Sequence, residues 1–114
     1  MQVERQVYSD AVLITVMEPR IDAALAVHFK DHVKQHSENA PSRVVVDMSH
    51  VQFLDSSGLG AMVAAMKQLG PDRSLELVSL TPTVEKVFKL TKMDTVFTIH
   101  DSAKTAIADL AHAS

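Results

Sequence analysis

Two short runs constrain this chain more than anything else in it. Ala11-Val12-Leu13-Ile14-Thr15-Val16-Met17 and Arg43-Val44-Val45-Val46-Asp47-Met48 carry apolar, largely β-branched residues at consecutive positions. Neither run has a polar face to turn to water. Strands of this kind sit inside a sheet covered on both sides, as in folds with parallel strands and crossover helices. Each run is followed by a stretch of helical periodicity. After the first, Asp22 stands as an N-cap and Leu25, Phe29 and Val33, with Ala26 alongside, form an apolar stripe running to about Glu38. After the second, Leu59, Met62, Val63, Met66 and Leu69 recur at three- and four-residue steps until Gly70-Pro71-Asp72 stops them.

The rest of the chain fits around these two units. Val3 to Tyr8 alternates weakly and reads as an edge strand, joined to the Ala11–Met17 strand by a turn at Ser9-Asp10. Leu75 to Leu80 is another strand. Thr81-Pro82 opens a third helix, with Val84, Val87, Phe88 and Thr91 on one face. Val96 to Ile99 is a last short strand, and Asp101-Ser102 caps a final helix with Ala103, Ile107 and Leu110 inward. The expected order is β-β-α-β-α-β-α-β-α: an α/β domain with a mixed, mostly parallel sheet of about five strands covered by four helices, occupying residues 1–114 as a single domain.

Composition removes several function classes. Eleven Lys plus Arg against 14 Asp plus Glu give a formal charge of -3, with no basic cluster and few aromatics, so a nucleic-acid partner is not expected. There is no cysteine, hence no disulfide scaffold or thiol site. No apolar run approaches the roughly 20 residues of a membrane span, and the first residues have no signal-peptide pattern. A cytoplasmic protein without membrane insertion is the expectation.

Chemistry concentrates at Asp55-Ser56-Ser57-Gly58-Leu59-Gly60. This stretch ends the apolar run Val44 to Leu54 and opens the Leu59–Leu69 helix. A strand-to-helix junction offers free backbone N–H groups and the positive end of a helix dipole. With the helix beginning near Ser57, Ser57 reads as the N-cap, its hydroxyl near the N–H of Gly60, and Ser56 is exposed. Asp55 either orients Ser56 or caps the turn; Gly58 and Gly60 leave room for a phosphate or another backbone. Phe53 and Leu54 read as core residues. On spacing alone the two serines are helix caps. His28, His32 and His36 line one face of the first helix without converging, so no metal site is expected. Nor are catalytic residues or a cofactor expected: the G-x-S-x-G elbow is absent, and Gly58-x-Gly60 lacks both a third glycine and a Walker lysine.

The 17 residues Val44-Val45-Val46-Asp47-Met48-Ser49-His50-Val51-Gln52-Phe53-Leu54-Asp55-Ser56-Ser57-Gly58-Leu59-Gly60 resemble the signature of the STAS family, the domains shared by sulfate transporters and anti-sigma factor antagonists. Arg20-Ile21-Asp22-Ala23 resembles the family's acidic-loop motif, and Phe88-x-Leu90-Thr91-x-Met93 followed by Phe97-x-Ile99 resembles its third helix and last strand. The short chain is similar to the antagonist branch. That resemblance implies a phosphorylatable partner-switching protein, itself no enzyme. Ser56, directly after the motif Asp, would be the phosphoacceptor, with Ser57 the weaker candidate. The implied partners are an anti-sigma factor that is also a GHKL-type serine kinase and a PP2C-type phosphatase. Partner-binding positions would be Asp22, Asp55, Ser56, Ser57, Gly58, Leu59 and Gly60. The same fold also serves as an accessory subunit of lipid-transport ABC complexes and as a nucleotide or anion sensor. Two departures from the pattern stand out. Pro19-Arg20 replaces a common Gly-Glu, and Lys92 replaces a frequent glycine.

Overall fold

The computed structural model describes residues 1–111. Strands β1 (Val3–Val7) and β2 (Ala11–Val16) form an antiparallel hairpin with Val7 opposite Val12. The chain then makes two residues of strand, β3 (Arg20–Ile21), before helix α1 (Ala23–Ser37). Strand β4 (Arg43–Asp47) lies parallel to β2. A second two-residue strand, β5 (Phe53–Leu54), precedes helix α2 (Ser56–Leu69). Strand β6 (Ser74–Val78), helix α3 (Pro82–Leu90), a 3-10 turn (Met93–Thr95) and strand β7 (Thr98–His100) follow. Two short helices, α4 (Ala103–Ala106) and α5 (Ala108–Ala111), come last. The main sheet has five strands in the order β1-β2-β4-β6-β7, parallel from β2 onward.

Strand periodicity splits the core in two. Val12, Ile14 and Val16 of β2, Val44 and Val46 of β4, and Leu75 and Leu77 of β6 meet Phe29 and Val33 of α1, Met62 and Ala65 of α2, and Val84 and Phe88 of α3. The alternate residues Ala11, Leu13, Val45 and Val78 face Ala106 and Ile107 on the other side. The unbroken apolar runs are thereby explained: α1 to α3 cover one face and the α4 segment covers part of the other. Full burial of each Val, Leu, Ile or Phe contributes roughly 1.5–3 kcal/mol.

Several expectations shift. The β3–β5 pair has no signature in the sequence, because two residues are too few to show a period. The strand expected at Leu75–Leu80 runs instead from Ser74 to Val78, ended by Ser79 at φ 59°. The last strand starts two residues late, behind the 3-10 turn, and Val96 is exposed. Lys92 has φ 59°, the left-handed conformation that favours glycine. The final helix is two helices. Ile107 between them is extended, and the Ala106 carbonyl is drawn off by the Arg43 guanidinium at 2.7 Å.

Candidate functional site

The junction is built by a small parallel ladder outside the main sheet. After β4 the chain turns over Asp47, whose carboxylate accepts from the Ser49 N–H at 2.8 Å. Val51 is fully buried, and its carbonyl accepts the Thr81 hydroxyl at 2.7 Å. The N–H groups of Gln52 and Phe53 both donate to the Pro19 carbonyl, at 2.7 and 3.1 Å. These bonds set β5 against β3, with Arg20 opposite Phe53 and Ile21 opposite Leu54. Alternation then sends Ile21 and Leu54 into the core and leaves Arg20 and Phe53 outside.

Each strand of the ladder ends in an aspartate that starts a helix. Asp22 caps α1, accepting from Ala24 N–H at 3.1 Å and Leu25 N–H at 3.3 Å. Asp55 caps α2, accepting from Gly58 N–H at 2.8 Å. Both caps have extended backbone, as an N-cap requires. Two helix N-termini therefore emerge side by side from adjacent parallel strands.

The N-cap assigned to Ser57 is thus corrected. Asp55 takes that position, Ser56 and Ser57 are the first two helical residues, and Ser57 makes no bond to Gly60. Both serines are exposed, and neither hydroxyl has a hydrogen-bond partner among the described residues. The carboxylate of Asp55 is occupied with Gly58 rather than with Ser56. Gly58 is corrected as well. It is buried, and a Cβ there would lie 2.2 Å from the Ile21 carbonyl oxygen, so the space belongs to the protein's own β3 and not to an incoming group. Gly60 is exposed, with open space around it. Leu59 is half-buried against the core.

Phe53 is a third correction. It is 41% exposed, with the Arg20 guanidinium 4.7 Å from its ring centroid. Arg20 also pairs with Asp22, Nε to Oδ2 at 3.3 Å. A cation therefore lies over an exposed ring on the outer side of the ladder, three residues before the serine that opens α2. The sequence signal was present in the period-two alternation against Leu54, although the apolar neighbours masked it.

Elsewhere, His32 and His36 stack with ring centroids 5.7 Å apart. Burial foremost, then nearby positive charge, holds the His32 imidazolium below its ordinary pKa. Among the described residues no group of three or more His, Cys, Asp or Glu is placed to hold a metal ion, and no helix is long and apolar enough to cross a membrane. A groove of about 260 Å³ beside α3 is lined by Leu80, Phe88 and Ile99 with charged residues at its rim; none of the junction residues lines it. On the back of the sheet Arg43 is bidentate to Glu76 at 2.7 and 2.8 Å and also reaches Asp10 at 2.8 Å. His100 adds a 2.7 Å bond to Glu76. Arg43 foremost holds the Glu76 carboxyl down at about 2, against an ordinary 4.5. The lone acid in Leu75-Glu76-Leu77 was the sequence sign of this network.

A five-strand mixed sheet with helices on its faces, and two exposed serines opening α2, defines a small α/β domain. The chain belongs to the STAS domain family, whose match covers residues 2–106. The anti-sigma F factor antagonist of Paenibacillus polymyxa is 24% identical over 101 residues, covering 83% of this chain and 86% of that one. A crystal structure of an anti-sigma factor antagonist from Mycobacterium paratuberculosis superposes with a TM-score of 0.81 at 22% identity, covering 96% and 93%. The Bacillus cell fate determinant SpoIIAA in its phosphorylated form superposes with a TM-score of 0.65 at 21% identity, covering 96% and 97%.

Proposed function

We propose that this protein is an anti-sigma factor antagonist that switches partners through phosphorylation of Ser56. The observation that carries this reading is the Ser56 hydroxyl: exposed, free of protein hydrogen bonds, and first in a helix whose cap is already supplied by Asp55. A kinase can take such a hydroxyl without dismantling the helix start. The name of the Paenibacillus relative and the existence of a phosphorylated form of SpoIIAA support the same reading.

In the unphosphorylated state the junction binds an anti-sigma factor that is also a GHKL-type serine kinase. Asp22, Asp55, Ser56, Ser57, Leu59 and Gly60 form the contact, with Gly58 positioning it from within. Phosphate adds roughly 1.5 to 2 negative charges, which the helix N-terminus accepts while Asp55 and Asp22 repel them. A small hydrogen-bonding surface becomes an anionic one. A coupling of about 1–3 kcal/mol corresponds to a loss of affinity of about 5- to 150-fold. A PP2C-type phosphatase reverses the change in the cytoplasm, and the catalysis belongs to these two enzymes.

The test is mass spectrometry after incubation with the cognate kinase, joined to pull-downs against it. Phosphate is expected on Ser56, Ser56→Ala should stay bound, and Ser56→Asp should bind more weakly. Phosphate on Ser57 alone, or equal binding of both variants, refutes the proposal.

A further inference from the structure

The junction holds one cation whose use within the fold is incomplete. Arg20 is on the outer side of β3, opposite Phe53, with its side chain 58% exposed. Its Nε faces Asp22 at 3.3 Å, and its guanidinium plane lies over the Phe53 ring. Among the described residues neither Nη nitrogen has a hydrogen-bond partner, so most of the five-donor fork is unspent.

From this geometry, and resting on the reading of Ser56 as the phosphoacceptor, we propose that Arg20 is the internal receptor for the Ser56 phosphate. Strands β3 and β5 lie about 4.8 Å apart. Ser56 follows Phe53 by three residues, about 10 Å along the extended backbone of Leu54 and Asp55. The Arg20 side chain already extends in that direction, since Asp22 is the residue that pairs it and lies one step past the ladder, level with Asp55. No gap separates the ladder from the helix: the Ile21 carbonyl presses on Gly58 in the first turn of α2.

The charge balance points the same way. A phosphate on Ser56 would stand near the carboxylates of Asp55 and Asp22. Arg20 is the cation beside them, and a planar fork grips a phosphate better than it grips the single carboxylate oxygen it now faces. Asp22 keeps its two helix N–H groups when Arg20 leaves it, so the exchange leaves no orphaned acid. Phe53 can hold the guanidinium face throughout. Phosphorylation would then do more than add charge. It would also draw Arg20 from Asp22 onto the phosphate and so redistribute charge across the surface that meets the partner.

The test uses the full chain with phosphoserine placed at position 56 by genetic encoding, which needs no kinase. The second phosphate ionisation, near pH 6 in a free phosphoserine, is followed by phosphorus NMR in the parent, R20Q and R20K. A guanidinium on the dianion lowers this pKa. R20Q should raise it by about half a unit, a modest value for an exposed pair, and R20K should fall between the two. Superimposable titrations of parent and R20Q overturn the proposal. Thermal melts of the unphosphorylated forms verify folding, which an exposed side chain should not disturb. Failure to find phosphate on Ser56 after kinase treatment would instead defeat the switching reading, whatever the titration shows.

Discussion

Substituting alanine at Gly58 and at Gly60 should move stability in opposite directions. Both glycines lie in α2, where alanine is the better helix former by up to about 1 kcal/mol. Gly60 has nothing within 4 Å of its missing Cβ, so Gly60→Ala should stabilise by about 0.5–1 kcal/mol. At Gly58 the same methyl would stand 2.2 Å from the Ile21 carbonyl oxygen, 2.7 Å from a Leu54 methyl and 3.1 Å from the Ile21 carbonyl carbon. Leu54 can change rotamer. The Ile21 carbonyl cannot easily withdraw, because β3 is pinned to β5 and Asp22 behind it caps α1. The helix or the ladder must retreat by about an ångström, and overpacking of that kind costs about 1–3 kcal/mol. Net of helix propensity, Gly58→Ala should lose about 1–2 kcal/mol, a drop in Tm of several degrees for a chain of this size. Urea unfolding followed by far-UV circular dichroism measures both variants, with a shift of midpoint at constant slope as the sign of a simple stability change. A Gly58→Ala protein as stable as the parent would refute the close seating of the ladder on α2.

Substitutions at three further positions test the α2 cap and the buried ion network. Asp55→Ala should cost about 1 kcal/mol of stability by unmaking the α2 cap while Asp55→Asn largely keeps it; Ser57→Ala should be close to neutral in the same denaturant series, since its hydroxyl caps nothing. The Glu76 carboxyl, held at about 2 against an ordinary 4.5, contributes stability that is complete above pH 4.5 and is lost as the pH falls from there towards 2. Acid titration of unfolding should show that loss, on the order of 2–3 kcal/mol, and Glu76→Gln should flatten it while lowering stability at neutral pH by leaving Arg43 short of a partner.

The sheet was legible because its strands are apolar on both faces and its helices carry apolar stripes at helical spacing. Val44 to Val46 could be placed nowhere but inside a covered sheet, and Asp22 announced α1 by position and type. What escaped was shorter than a period or set by a partner distant in sequence. The β3–β5 ladder is two residues a side, held by Gln52 and Phe53 on the Pro19 carbonyl across more than 30 residues. The cap went to Asp55 rather than Ser57 because two hydroxyls and an acid in a row all satisfy the cap rule. Only the helix start decides among them, and such boundaries are soft by a residue or two. Gly58 looked like a vacancy for visitors and is filled by Ile21, a contact that no local pattern encodes. The motif singles out Ser56 by position alone, whereas the freedom of its hydroxyl among the described residues shows only in three dimensions.

The ladder also bears on how such a protein can diverge. Ile21 and Leu54 turn from the ladder into the apolar core, whereas Arg20 and Phe53 face outward from the same two rungs. Exchange at those two positions leaves the core untouched, so the outer face of the ladder can vary without cost to the fold. Ile21, on the inner side of the same rungs, and Gly58, which it presses on from there in α2, have no such freedom. One short strand pair thus divides inheritance from invention along a single peptide's width.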